Sequence, residues 1–535
     1  MDRRKFLGIT AGAGIIGLLP SCKAARKIGG SIVGSSAGIG HMLRDQRFDE
    51  PVAVEKKQAV IVGGGVSGLT AAWHLKKNGV NDFVLLELEE VAGGNSRYGS
   101  NAVSAYPWGA HYVPIPNNDL PEYLSFLNES GVITGFNDKG LPVYNEQYLC
   151  FDPQERLYIN GRWQEGIIPQ FGVPDAEAKE IAKFLQMMEE YRQAKGSDGK
   201  DAFAIPVDQS SKDEAFTVFD SITMTQWLKQ HNLNSQYLHW YVDYCTRDDF
   251  GTPCNIVSAW MGIHYFASRK GKGANAEHGD VLTWPEGNGF LVNQLTKNIG
   301  EHISTGNLAV SIKEVDGNVR ITYFDTKTKN VKAIEAAQCI VAVPQFIAAR
   351  LLNNQDRLQQ VHRHLQYAPW MVANITVSTL EERSGAPLSW DNVLYDSPSL
   401  GYVEATHQFL EQQLPKRNLT YYLPLTKLSP SDERKAAQQK THGEWVDLIL
   451  NDLRKVHPGI EEAVEKIDVL LWGHAMAQPL PGLVHGNVRS RLSASINERI
   501  HFAHTDLAGD SIFEEAFYQG LNAGKKLITK MKSHV

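Results

Sequence analysis

The chain has 535 residues, 42% of them apolar and 21% charged, enough for two or three domains with sizeable cores. No run of eighteen uninterrupted apolar residues occurs, so no membrane-spanning helix is expected in the mature chain. Formal net charge is −7; residues 1–57 carry ten basic and five acidic groups, which leaves −12 on the remainder, a poor match for nucleic acid. Cys150, Cys245, Cys254 and Cys339 lie in that remainder without metal-ligand spacing. Buried thiols are expected there; a single disulfide in an oxidising compartment stays open, and no metal site is read.

Residues 1–22 read as a targeting segment and are set aside from the fold. Arg3-Arg4-Lys5-Phe6-Leu7 resembles the twin-arginine export motif, and Phe6 to Leu19 is a modest apolar stretch. Leu19-Pro20-Ser21-Cys22 resembles a lipoprotein cleavage box, which would make Cys22 the lipidated first residue and an anchor that does not span the bilayer. The implied location is periplasmic, or anchored on the outer side of the inner membrane. Residues 23–56 read as a tether, with Ile28 to Leu43 as a stretch that could dock on the body or on the membrane face.

Gln58 to Gly94 is the informative stretch. Ala59 to Val62 is a short β-branched run, as in a buried parallel strand. Gly63, Gly65 and Gly68 follow in GxGxxG spacing: one for a tight turn, one for close approach of backbone to a pyrophosphate, one for helix packing. A helix from about Val66 to Asn78 would aim the free N–H groups of Val66 and Ser67 at that phosphate. Phe83 to Leu86 form the next strand, and Glu87 at its end is placed to accept bonds from both ribose hydroxyls. Strand, turn, helix, strand and acid fall in register, which predicts a dinucleotide site.

Gly93-Gly94, with Asn95, Ser96 and Arg97 behind it, resembles the second glycine motif of FAD enzymes of the amine oxidase and phytoene desaturase superfamily. That motif is usually Arg-x-Gly-Gly-Arg; here both flanking arginines are missing, and Arg97 supplies a charge from a shifted position. Two later segments extend the resemblance. A hairpin over Leu308–Phe324, turning at Asp316-Gly317, precedes a strand Cys339–Val343, and Val310 would contact adenine through its backbone. Arg499 to Asp506 then runs as a strand into a polar turn, followed by a helix from Glu514 with a small face of Gly520, Ala523 and Gly524. The resemblance implies that Asp506 bonds the ribityl–pyrophosphate region and that N–H groups near Ile512 and Phe513 approach the flavin C2 carbonyl.

The implied fold is α/β: a Rossmann-like FAD-binding domain of the three-layer ββα type, built from segments 57–130, 276–355 and 466–535. A mixed α+β substrate domain takes residues 131–275 and 356–465. Within it, Asp175 to Lys195 has helical periodicity, and Gly196 to Glu214 reads as an exposed polar loop. Asp248-Asp249 beside Arg247 reads as a structural Asp–Arg or cap arrangement rather than a metal site. His111 reads equally as a flavin neighbour or a packed histidine.

The resemblance implies noncovalent FAD, since the family's covalent cysteine motif is absent, and hydride removal from a small-molecule substrate, an amine, to flavin N5. Oxygen or another acceptor would take the electrons. Trp472 and His474 are the candidates for the substrate side, within a loop at 472–482, and His504 for the flavin edge. Two alternatives stay open: a C–C desaturase or dehydrogenase of carotenoid or protoporphyrinogen type, and an FAD-stabilised scaffold without turnover.

Overall fold

The computed structural model describes residues 28–533, apart from 35, 381–382 and 411–413. The export motif and Cys22 lie outside the described residues. Strand β1 (Val54–Val62) is the centre of the first sheet. Helix α1 (Val66–Lys77) leads to β2 (Phe83–Glu87), which pairs with β1 in parallel, and β3 (Ile303–Thr305) adds to β2. A meander follows: β4 (Asn307–Val315), β5 (Asn318–Asp325) and β6 (Asn330–Val341). Asp316 and Gly317, both at positive φ, make the two-residue turn between β4 and β5, as a tight hairpin requires.

Strand β6 lies parallel to β1, from Ala333 against Val54 to Val341 against Val62. Its other edge is divided: Asn330–Ala336 pairs with β5, and Cys339–Val341 pairs in parallel with β7 (Ile500–Phe502). The alternation of β1 sets the layers. Ala59 and Ile61 face α1 and the closing helix α2 (Phe513–Ser533), while Val60 and Val62 face the meander side with Val319, Ile321 and Leu351. Helices, sheet and meander thus stack as the expected three layers.

The second sheet has eight strands in the order Ile32–Val33, Val464–Ala477, Tyr367–Val377, Arg417–Pro424, Tyr402–Glu404, Asp391–Leu394, Glu155–Ile159, Arg162–Glu165. Helices Asp175–Gln193, Gln236–Phe250 and Ala259–Ala267 cover one side of it, and His442–Leu453 the other. Residues 472–477, expected in a loop, instead complete the fourteen-residue strand Val464–Ala477, because Tyr367–Val377 supplies ladder partners along it. The stretch expected as an exposed loop, 196–214, is also different: Phe203, Val207, Ser210 and Ser211 are fully buried. Its polar residues are consumed internally, Ser210 Oγ accepting from the Ala204 N–H at 2.9 Å and Glu515 accepting from the Val207 N–H. Polarity there bonds the backbone rather than meeting water.

Two parts of the presumed tether are built into the body. Ile32–Val33 pairs in parallel with Val469–Leu470. A helix, Ala37–Asp45, follows, and Ser36 before it bonds Glu89 through both N–H (2.7 Å) and Oγ (3.1 Å). Cys150, Cys245, Cys254 and Cys339 are all free thiols, three of them buried. Among the described residues no helix is long and apolar enough to cross a membrane, and no group of side chains could hold a metal ion.

Candidate functional site

A groove of about 350 Å³ runs along the carboxyl ends of β1, β2 and β6, where an open parallel sheet leaves its ligand crevice. Gly63 adopts φ +107°, and a Cβ there would lie 2.3 Å from the Ala342 carbonyl, so only glycine lets β1 turn against β6. Gly65 forms a bridge with Gly93, and Gly93 N–H donates to the Gly64 carbonyl at 2.8 Å. The two glycine turns therefore lie side by side and line the groove together. A Cβ on Gly65 would meet nothing within 4 Å, so this backbone is bare toward the crevice. Val66 and Ser67 open α1 and line the groove, with N–H groups that have no partner within the helix. A phosphate suits that position.

Glu87 also lines the groove. Its Oε2 accepts from Gly64 N–H at 2.6 Å and its Oε1 from Glu89 N–H at 2.8 Å, which fixes the carboxylate with acceptor capacity to spare. Burial raises its pKa, and those two N–H bonds offset part of the rise. Beyond Glu87 the wall is Asn307, Leu308 and Ala309. Val310 is the next residue, at the register shift between Ala309 and Ser311 where the ladder to β5 skips, and it does not itself line the groove. Gly40 and Leu43 of the N-terminal helix close this end, a contribution the sequence does not advertise.

At the opposite end stand Gly94, Asn95, His504, Asp506, Ile512 and Phe513. Asp506 is buried and accepts from Tyr367 OH (2.6 Å) and Gln345 N–H (2.8 Å); His504 Nδ1 lies 3.0 Å from its other oxygen. Burial alone would raise this carboxyl, but His504 and these bonds outweigh it and hold its pKa below the ordinary value. The residues present fit a dinucleotide: a bare glycine cradle, a helix N-terminus and a terminal carboxylate. Arg97 departs from expectation. Its guanidinium pairs with Glu89 at 3.2 Å and lies 5.0 Å over the Trp472 ring, away from the groove lining.

Asn95, Ile512 and Phe513 are shared by the groove and an adjacent inner chamber of about 140 Å³. Trp472 and Tyr422 are pinned on its wall, Trp472 Nε1 donating to the Trp108 carbonyl (2.6 Å) and Tyr422 OH to the Gly109 carbonyl (2.9 Å). His111 stacks on Tyr422 at 4.6 Å between ring centres, and burial lowers its pKa to about 3, so the imidazole is neutral. His474 does not reach this chamber. It lines the cofactor groove, packed on Phe346 at 4.7 Å, with a pKa that burial lowers to about 4.

An outer chamber of about 160 Å³ adjoins the inner one, with His111, Tyr112, Asp248, Arg269 and Tyr422 on both walls. Of the adjacent aspartates, Asp249 pairs with Arg269 at 3.2 Å, as a structural Asp–Arg reading expects, and Arg247 pairs with Asp243 instead. Asp248 faces the cavity, within 3.5 Å of Tyr112 OH. Glu155, Asp391, Tyr244 and Trp390 complete this chamber and carry no motif by which a sequence would reveal them.

Comparison with known proteins agrees with this geometry. The model of the family "flavin containing amine oxidoreductase" matches residues 66–528. Among solved structures, putrescine oxidase bound to putrescine aligns with TM-score 0.65 at 16% identity, covering 89% of this chain and all of that one. Cyclohexylamine oxidase from Brevibacterium oxydans aligns with TM-score 0.64 at 13% identity, covering 89% and 99%. Likeness at such identity concerns the fold. Among curated relatives, dimethylglycine dehydrogenase of Rattus norvegicus is 32% identical over 109 residues, 20% of this chain but only 12% of that protein. The chain thus matches about an eighth of that relative's length, and it belongs, by the match that spans most of its own length, to the flavin-containing amine oxidoreductases.

Proposed function

We propose that the protein is an exported oxidoreductase that holds FAD noncovalently and oxidises an amine at a C–N bond, passing electrons to oxygen or another acceptor. The observation that carries this reading is the adjacency of two cavities. The groove that fits the dinucleotide shares Asn95, Ile512 and Phe513 with a chamber walled by Trp472, Tyr422 and Asp249. When bound, FAD supplies hydride acceptance at N5. The chain's own residues position the substrate. Trp472 and Tyr422, each fixed by a bond to a backbone carbonyl, leave a narrow slot that orients a carbon chain and excludes water. His111, neutral by burial, adds no positive charge to repel an amine.

The six carboxylates on the two chambers' walls (Glu155, Asp248, Asp249, Asp280, Asp391 and Glu514) suit a cation and disfavour a carotenoid-like hydrocarbon. The test is an anaerobic visible spectrum of the FAD-loaded protein titrated with a panel of amines. Bleaching of the oxidised bands by an amine is the expected result; bands that persist through the panel overturn amine oxidation. Export rests on Arg3-Arg4 and the box ending at Cys22. Cell fractionation of wild type and an Arg3→Lys, Arg4→Lys double variant tests it, with retention of the variant in the cytoplasm expected.

A further inference from the structure

The outer chamber is a second cavity beside the inner one and does not touch the groove residues Ile512 and Phe513. We propose that it is a subsite for a second ammonium group: the substrate is a diamine or polyamine whose distal cation sits between Asp248 and Asp391. Tyr112, Tyr244, Trp390 and Tyr422 form the box around it. The inference rests on the amine oxidase reading for the reaction, but the subsite has its own support.

The first support is charge. Among the described residues Arg269 is the one Lys or Arg on these walls, and its guanidinium is engaged with Asp249. No ion pair joins Asp248 or Asp391 to a cation among the described residues. Asp248 has Tyr112 OH at 3.5 Å, and Asp391 has Tyr244 OH at 3.3 Å. Both carboxylates are part-buried. Asp248 has a single long bond from a phenol, and Asp391 a phenol and the Asn392 N–H, so neither negative charge is balanced by a paired cation. Burial, and then the neighbouring carboxylates, push Asp248 up to about 7 and Asp391 well above its ordinary value. An incoming ammonium supplies the charge the protein withholds.

The second support is the aromatic surround. Tyr112 meets Trp390 edge to face at 5.6 Å, and Tyr422 closes the side shared with the inner chamber. Rings at such spacing offer π faces to an alkylammonium and apolar surface to its methylenes. The third is an unpartnered acceptor. Asn288 is 2% exposed and lines the inner chamber, and its Oδ1 has no hydrogen-bond partner. A buried carboxamide oxygen left open calls for an N–H donor in the cavity. Donors at the inner end and a cation at the outer end together describe a molecule with two nitrogens.

The experiment uses FAD-loaded enzyme with butylamine and 1,4-diaminobutane, molecules of equal chain length, and reads anaerobic flavin bleaching and steady-state rates. We expect kcat/KM for the diamine to exceed that for the monoamine by 100-fold or more. Asp248→Asn and Asp391→Asn, checked for retained flavin spectrum, should bring that ratio to within tenfold of unity, mainly through KM for the diamine. Equal use of the two amines by wild type overturns the subsite and leaves amine oxidation standing. Preference for an amino acid, whose carboxylate would seek Arg269, also overturns it. If no amine bleaches the flavin, calorimetry with 1,4-diaminobutane separates the claims. Binding that weakens more than tenfold in Asp391→Asn keeps the subsite while amine oxidation fails; absence of binding sinks both.

Discussion

Helix α2 crosses α1 at Gly520, and a methyl group added there tests how the cofactor site is assembled. An ideal Cβ at Gly520 would lie 2.0 Å from the Ser67 carbonyl oxygen and 3.0 Å from Thr70 Cβ. The first distance is about 1.3 Å short of the ~3.3 Å at which carbon and carbonyl oxygen rest. Because the obstacle is backbone, no rotamer change relieves it, and the helices must separate. Gly520→Ala gains about 1 kcal/mol of helix propensity. It loses up to about 3 kcal/mol by overpacking, so the net expectation is a loss of roughly 2 kcal/mol. Separation also drags Ile512 and Phe513, at the start of α2, away from the groove that Ser67 lines. Gly524→Ala is the control in the same helix: its closest contact would be a side-chain atom, His74 Cδ2 at 3.1 Å, with the nearest backbone atom, the Ala71 carbonyl oxygen, at an ordinary 3.6 Å, and the expected change is neutral to slightly stabilising. Urea unfolding and flavin retention on gel filtration measure both variants. Equal stability and flavin content in the two would refute the packing argument.

Glu87→Ala removes the acceptor at the end of β2 and should weaken FAD binding by about 10–100-fold, as expected for bonds to a charged group worth about 1.5–3 kcal/mol; fluorescence titration of the apoprotein with FAD reads this, and an unchanged affinity argues against the ribose assignment. Asp506→Ala strands Tyr367 OH and Gln345 N–H without their buried acceptor and should lower stability by about 2–4 kcal/mol; a denaturation midpoint equal to wild type contradicts it. The pH dependence follows from Asp248. With Asp249, Asp391, Arg247, Arg269 and Tyr112 around it, its pKa stands near 7 and only the ionised form attracts an ammonium. Diamine kcat/KM should therefore fall about tenfold per unit as pH drops below 7, and Asp248→Asn should flatten that limb relative to the same profile for the monoamine. A limb of identical steepness in the variant assigns it to the substrate's own amine instead.

Much of the cofactor groove was legible because its determinants are local. Within residues 58–94, strand, glycine turn, helix and terminal acid follow one another, and each residue's role is set by its near neighbours. The hairpin at Asp316-Gly317 and the small face at Gly520 and Gly524 were legible for the same reason. The chambers were not, because their walls are assembled from distant strands and helices. Asp248 and Asp249 show the difficulty: adjacent on a helix, they point about 100° apart, so one meets Arg269 and the other faces Tyr112. His474 was misjudged similarly. Two positions from Trp472, it would share Trp472's face in a regular strand. The ladder is irregular there, Ala368 pairing with Met476 but Trp370 with Trp472, and His474 lines the groove instead. Within 196–214, the buried residues 202–207 and 210–211 were hidden in a polar composition whose remainder, such as 197–200 and 208–209, is exposed as a loop should be.

Strand β6 carries a consequence for biosynthesis. Three segments meet on it: β1 from near the start, β5 immediately before, and β7, whose Ile500 pairs with Cys339. Helix α2, which completes the flavin end of the groove, comes later still. A nascent chain cannot finish its dinucleotide cradle until residues 500–513 have left the ribosome, and closing so distant a contact is slow. Cofactor capture is therefore a post-translational act. A chain arrested anywhere before residue 500 would present a half-built sheet with a bare parallel edge, a target for quality control rather than a partially active enzyme.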